Sequence, residues 1–298
     1  MIMPASVQAQ KDTSKEVKIA TDQQKIFCDL AALAINEEQI GNRPLADSML
    51  RLYETNYLDT LCDSMLFSQQ NLRFISGFPE LIRSGDRVFN LFYESPELAD
   101  EIIGARKGYA GDVVKYIIQK EEIDVYLYKY NQVITNNPHW GQMFRRITAK
   151  YNQQYAELLT QPAEFKFYRK TGNWRKYASL FERKIRQQRP TQESNGLGGG
   201  FGDSWTLNTT AWDMFLYCNN RSVLKMAVKW SDLSISLCKT EPDAVQYFDT
   251  KANLLYKLGK QALAVQYEQK ALALSNKSKE YESNLDKMKA RLPTWPVK

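Results

Sequence analysis

Residues 252–274 read ANLLYKLGKQALAVQYEQKALAL, two runs of helix-forming residues on either side of Gly259. The second run, residues 264–274, aligns with residues 227–237, so the same pattern of small and large apolar residues occurs twice at an offset of 37 residues. An internal repeat of about 34–40 residues with two helices per unit is typical of helical-repeat proteins. Such units bury their apolar faces by stacking. The stretch therefore predicts an all-α fold of stacked antiparallel helix pairs.

Helical spacing of apolar residues continues through most of the chain. From Ile26 onward, apolar side chains recur at intervals of three and four residues, which places them on one face of an α-helix. Every second residue of Val125–Tyr130 is Tyr, as in a strand, but Tyr126 and Tyr130 lie four residues apart and favour a helix. Gly and Pro breakers divide the pattern into predicted helices at 57–70, 71–84, 86–93, 96–108, 111–136, 138–160, 162–171 and 173–189.

The amino-acid composition excludes several kinds of functional site. The chain has 298 residues, of which 43 % are hydrophobic and 25 % charged, and it contains only one histidine, His139. A single histidine excludes metal sites that need two or more histidines. Pairs of carboxylates occur, such as Glu97 with Glu101 and Glu121 with Glu122. None lies in a context that would give its two members different pKa values, as a catalytic acid and base need. We therefore expect no catalytic residue, no metal site, no cofactor and no enzymatic activity.

Residues 190–205 read PTQESNGLGGGFGDSW and hold five of the 14 glycines. They lack the Lys-Ser/Thr pair of a phosphate-binding loop and the register of a dinucleotide-binding loop, so a flexible linker is the better interpretation. No apolar run is long enough to cross a bilayer. The predicted organisation is a leader at 1–21, a helical-repeat region at 22–189, a Gly-rich linker at 190–205, C-terminal helix pairs at 206–290 and a tail at 291–298.

The N-terminus and the cysteines bear on where in or outside the cell the protein is located. Residues 1–10, MIMPASVQAQ, contain a V-x-A pattern that resembles the end of a secretory signal. This favours a periplasmic or exported protein, with a short leader of a cytoplasmic protein as the alternative. The four cysteines form no CxxC motif, and each lies in an apolar stretch, so small buried residues are expected. In an exported protein, Cys28–Cys62 or Cys218–Cys238 could instead form a disulfide.

The quoted stretch resembles a tetratricopeptide repeat. The resemblance rests on the run Ala252–Gly259 followed by Ala264, Tyr267 and Ala271, and it implies small residues where two helices touch and a right-handed superhelix. Glu268 departs from the family, which usually has an aromatic residue at that position. Together with Asn71–Ile75, Phe167–Ala178, and Gly41 followed by Ala46, the repeat also resembles the helical C-terminal region of exported thioredoxin-family proteins of Bacteroidota, over roughly residues 70–275. Because no CxxC motif precedes this region, the redox activity of that family is not inferred.

The segment 164–189 concentrates positive charge. It contains nine Lys or Arg and two Glu, against a net charge of +6 for the whole chain, and aromatic residues are interleaved with them. Such a stripe attracts anionic partners, although the helical spacing of the aromatics favours a core role for them, with the charges on a solvated face. The candidate partner-binding residues are Tyr126, Tyr130, Trp174, Arg175, Lys176, Arg183, Trp212 and Tyr256.

These patterns predict a non-enzymatic scaffold or interaction module of the cell envelope that binds a protein or peptide on a helical-repeat surface. One alternative is a helical accessory to envelope thiol–disulfide chemistry carried by another chain. Another is anionic-surface binding through 164–189, with nucleic acid not favoured as the ligand. The oligomeric state is not indicated.

Overall fold

The computed structural model describes residues 30, 32–34, 36–37, 40, 42–79, 82–187, 203–276 and 278–296. About 75 % of the protein is helical, and the helices pack in pairs, which confirms the all-α class. The chain divides into two compact units, Met1–Leu159 and Thr160–Lys298. The predicted leader at 1–21 and most of the predicted linker, residues 190–202, lie outside the described residues, so both stay predictions.

The first unit is built from short helices. Its core is formed by large apolar side chains, among them Leu72, Phe92, Ile118 and Ile147, that are essentially inaccessible to solvent. The helices are α1 (Arg43–Asn56), α2 (Asp63–Leu66), α3 (Gln69–Ser76), α4 (Arg87–Glu94), α5 (Pro96–Ile103), α6 (Tyr109–Gln119), α7 (Val125–Leu127) and α8 (Trp140–Lys150). Pro96 begins α5, as expected for proline in a first helical turn.

The helix predicted over 111–136 is wrong from Tyr128 onward. α6 ends at Gln119, a π-helical turn follows at Lys120–Asp124, and after α7 the chain forms a hairpin of β1 (Tyr128–Lys129) and antiparallel β2 (Gln132–Val133). Tyr130 and Asn131 connect these strands with positive φ angles of 49° and 61°. Two consecutive positive φ angles are typical of the tight turn that fits the twist of a hairpin. The strand that the alternating tyrosines suggested is therefore limited to Tyr128–Lys129.

The helix predicted over 138–160 is also divided. α8 ends at Lys150, and α9 (Gln153–Lys170) begins after Asn152, whose side-chain oxygen accepts a hydrogen bond from the backbone N–H of Tyr155 at 2.9 Å. Asparagine favours this capping position because it satisfies an unpaired N–H of the first turn. Pro162, which was predicted to begin a helix, lies inside α9.

The second unit is a succession of longer helices. Beyond the end of α9 it contains α10 (Trp174–Gln187), α11 (Ser204–Tyr217), α12 (Arg221–Ser236), α13 (Val245–Lys257), α14 (Gln261–Leu274) and α15 (Lys279–Lys289). From α11 onward each helix packs on the next, α11 also contacts α13, and α10 packs on α12. Gly259, with a φ of +83°, makes the turn between α13 and α14, a backbone conformation that glycine adopts without steric cost.

Small residues allow α13 and α14 to approach closely. Ala252, Ala264 and Ala271, the three positions given by the tetratricopeptide resemblance, are all 0 % exposed. Ala252 and Ala264 pack with Leu255 and with Met288 of α15, so three helices share one apolar cluster. The boundary between the two compact units falls between Leu159 and Thr160. Residues 160–187 therefore belong to the same unit as the C-terminal helices.

Candidate functional site

A groove of about 650 Å³ lies in the second unit beside α10 and α12. It is lined by Arg175, Ser179, Glu182, Arg183, Arg186, Gln187, Ser222, Val223 and Met226. On α10, the lining residues Arg175, Ser179 and Arg183 follow one another at intervals of four, which places them in a row along one side of the helix. The opposite side of α10 carries Tyr177 and Phe181, which are buried.

The pairing of α10 with α12 creates this groove. Trp230 of α12 is 2 % exposed, and its ring meets Phe181 of α10 edge to face at a centroid distance of 4.8 Å. The indole N–H of Trp230 also donates a hydrogen bond to the carboxylate of Glu182. Aromatic edge-to-face packing and a satisfied indole N–H are both stabilising. One residue of α12 thus holds both the apolar side of α10 and an acidic group of the groove wall.

The groove carries an excess of positive charge. Three arginines line it against one carboxylate, Glu182. Nη2 of Arg186 lies 3.6 Å from Glu182, while Arg183 reaches out of the groove to Glu164 at 3.8 Å. Arg175 has no ion pair with any residue that the structure describes. Burial raises the pKa of Glu164, and the nearby Arg183 opposes that rise. Both arginine–carboxylate contacts are long and the arginines largely exposed, so the guanidinium groups remain open to an anionic partner.

The structure brings together only two of the eight predicted partner-binding residues, Arg175 and Arg183. Lys176 points elsewhere, with its Nζ atom 5.5 Å from the centre of the Tyr168 ring. Trp174 is half-buried and stacks on Tyr217 at 6.1 Å. Arg186 also lines the groove but was not among the predicted partner-binding residues, although it follows Arg183 by three residues and Glu182 by four. Val223 and Met226 were missed because they lie on α12, beyond the Gly-rich stretch.

Trp212 and Tyr256 belong to a separate aromatic cluster in the second unit. Trp212 packs on Phe215 at 4.8 Å, and Tyr256 packs on Trp295 of the C-terminal tail at 5.9 Å. The ammonium of Lys257 donates to the backbone oxygen of Phe215 at 2.6 Å, and burial lowers the pKa of this lysine. Both predicted residues are half-buried, so their main contacts are within the unit.

The two remaining predicted residues lie near the hairpin of the first unit. Tyr126 is 44 % exposed, and the guanidinium of Arg146 covers its ring at 3.9 Å. A pocket of about 150 Å³ is lined by these two residues and, among others, by His139. Tyr130 is 90 % exposed at the hairpin turn. His139 precedes α8 at its N-terminus and is exposed.

The first unit also holds a Ser84–Lys150–Glu121 network of the kind found in some hydrolases. Nζ of Lys150 lies 2.9 Å from the Ser84 hydroxyl and 3.0 Å from Glu122, and the hydroxyl donates to Glu121. Burial acts to lower the pKa of Lys150, but hydrogen bonds to Glu122 and Tyr151 raise it well above its usual range. The ammonium therefore stays protonated at neutral pH and cannot accept the Ser84 proton. This geometry supports an ionic network that stabilises the fold.

The cysteines differ from the prediction of uniform burial. Cys218 is buried and Cys238 partly buried, but Cys62 is exposed; all three are free thiols, so the alternative Cys218–Cys238 disulfide is not formed. Cys28 lies outside the described residues. Burial raises the pKa of the Cys218 and Cys238 thiols, which keeps them in the less reactive protonated form.

Comparisons with known proteins give no relative for this chain. No family model, curated protein or solved structure matches it. Within the described ranges, no group of three or more His, Cys, Asp or Glu is placed to hold a metal ion. Among the same residues, no helix is both long and apolar enough to cross a membrane.

Proposed function

We propose that this protein is a non-enzymatic interaction module and that the groove beside α10 and α12 binds an acidic segment of a partner protein. The observation that carries this proposal is that Arg175, Arg183 and Arg186 line the same groove as an apolar strip formed by the half-buried Met226 beside the buried Val223. Arginine pairs with carboxylates through a planar fork of donors, which makes it the preferred cation at protein interfaces.

The size and composition of the groove favour a peptide segment. About 650 Å³ falls within the range of sites for drug-sized molecules, a size that a few residues of a peptide match. Ser179, Ser222 and Gln187 add hydrogen-bonding groups, and the half-buried Met226 offers an apolar contact that an inorganic anion would not use. An acidic segment with one or two apolar side chains would satisfy both the charges and the apolar strip.

The wider setting of this function remains a proposal from sequence patterns. The tetratricopeptide resemblance supports a scaffold role, because repeat proteins of this kind present extended binding surfaces. The V-x-A pattern in residues 1–10 supports a location in the cell envelope. The thiol–disulfide alternative gains no support from the protonated thiols of the buried Cys218 and the partly buried Cys238.

Binding of a labelled acidic peptide to the full chain tests the proposal. We expect a Glu/Asp-rich peptide with two Leu residues to bind saturably in fluorescence anisotropy, and its Gln/Asn counterpart to bind at least tenfold more weakly. The affinity should fall roughly fivefold when salt rises from about 50 to about 300 mM, because exposed charge pairs are screened over about a Debye length. Equal binding of the acidic and neutral peptides would contradict a charge-selective groove.

A further inference from the structure

A pair of carboxyl groups is buried between α13 and α14, away from the groove. Glu268 of α14 is 0 % exposed and Asp249 of α13 is 6 % exposed. Oδ1 of Asp249 accepts hydrogen bonds from the side-chain amides of Asn253 at 2.8 Å and Asn284 of α15 at 3.1 Å. The two carboxyl groups lie close enough to interact with each other, and no donor among the described residues reaches either oxygen of Glu268.

Among the residues that the structure describes, none brings a positive charge to this pair. The titratable groups that act on it are Glu280 and Tyr281 of α15, and Glu280 adds negative charge. Lys251 of α13 and Lys270 of α14 are ion-paired elsewhere, with Asp232 and Glu241. A buried carboxylate without a cation or a donor is very unfavourable, and two such charges in contact cannot both persist.

We infer that Asp249 and Glu268 share one proton in the folded chain, and that this proton keeps α15 packed on α13 and α14. The protonated carboxyl donates to its neighbour, which gives Glu268 a hydrogen bond that no other described residue supplies. Asn284 links the pair to α15, and Met288 of the same helix packs on Ala252 and Ala264. Loss of the proton would leave two contacting negative charges beneath α15 and loosen that helix.

The direction of the pH dependence follows from the same burial. Burial, followed by the charge of the partner carboxylate, raises the pKa of Glu268 to about 10, and burial raises that of Asp249 to about 6. In the unfolded chain the pKa values of both carboxyl groups return to their ordinary values near 4. The folded state therefore holds the shared proton more tightly than the unfolded state does, so stability is greatest at low pH and falls as pH rises toward 10.

Thermal unfolding of the full chain between pH 5 and 9 tests this inference. We expect the melting temperature of the wild type to fall by roughly 10 °C over this range, with α15 the first helix to lose hydrogen-exchange protection. Glu268→Gln should flatten the profile, because its amide donates to Asp249 without a titratable proton. Glu282→Gln, an exposed site on α15, is the matched control and should leave the wild-type profile unchanged.

Infrared spectroscopy of the wild type at pH 7 gives a second readout that does not depend on a variant. A carbonyl stretch of a protonated carboxylic acid should be present and should disappear in Glu268→Gln. Parallel melting profiles of wild type and Glu268→Gln, or absence of that stretch, would overturn the inference. A rise in melting temperature with Ca²⁺ or Mg²⁺ at pH 8 that Glu268→Gln abolishes would also overturn it, because a metal ion would then take the place of the proton.

Discussion

Replacing Trp230 by alanine is expected to destabilise the second unit by about 3–5 kcal/mol. The side chain is 2 % exposed and packs edge to face on Phe181, so truncation leaves a cavity between α10 and α12. It also removes the indole N–H that bonds Glu182. Urea unfolding followed by far-ultraviolet circular dichroism measures the loss.

Two further variants test whether the loss of stability comes from the packing of Trp230 or from the removal of a tryptophan as such. Trp205 lies on α11 and is 52 % exposed, so Trp205→Ala should change the free energy of unfolding by about 0.5 kcal/mol or less. Trp230→Phe keeps most of the ring contact and should cost less than Trp230→Ala. Equal stability of Trp230→Ala and Trp205→Ala would show that α10 does not pack on α12 as described.

Reversing the charge of the three groove arginines in one variant should abolish binding of the acidic peptide. The variant Arg175→Glu, Arg183→Glu, Arg186→Glu replaces attraction by like-charge repulsion, which costs several kcal/mol at an interface. We therefore expect affinity to fall at least ~100-fold in fluorescence anisotropy. The three side chains are exposed, so the melting temperature should change little.

A control with the same change in net charge distinguishes the groove from the overall charge of the protein. Lys166, Lys170 and Lys229 are exposed residues of the second unit that do not line the groove. Their joint replacement by Glu should weaken binding by no more than about threefold, through long-range electrostatics alone. Equal losses in the two triple variants would assign the binding to net charge and remove the groove from the account.

The helical content was predictable because it depends on local spacing, and the buried small residues of α13 and α14 were expected from the tetratricopeptide resemblance. Ala252, Ala264 and Gly259 occupy the close contacts and the turn that the quoted stretch indicated. The hairpin at Tyr128–Val133 was missed because two competing periods coincide there, and the turn at Tyr130 and Asn131 lacks the glycine that usually marks it. The break at Tyr151–Asn152 was missed because no Gly or Pro marks it.

The candidate site was predictable only in part. Arg175 and Arg183 were found because they lie in one charged segment, whereas the apolar strip comes from α12, which tertiary packing alone brings beside α10. Glu268 appeared in the sequence only as a departure from a repeat pattern. Its burial against Asp249 depends on the approach of three helices, which no local sequence pattern indicates.

The most direct test of the central claim, that an acidic segment binds in the groove, is a titration of the full chain labelled with ¹³C at its methionine methyl groups. Met226 lines the groove, whereas Met65 of α2 is exposed and lies in the first unit. On addition of the acidic peptide, we expect the Met226 resonance to shift saturably with the affinity measured by anisotropy, and the Met65 resonance to stay in place. Saturable binding that leaves Met226 unmoved would contradict the account.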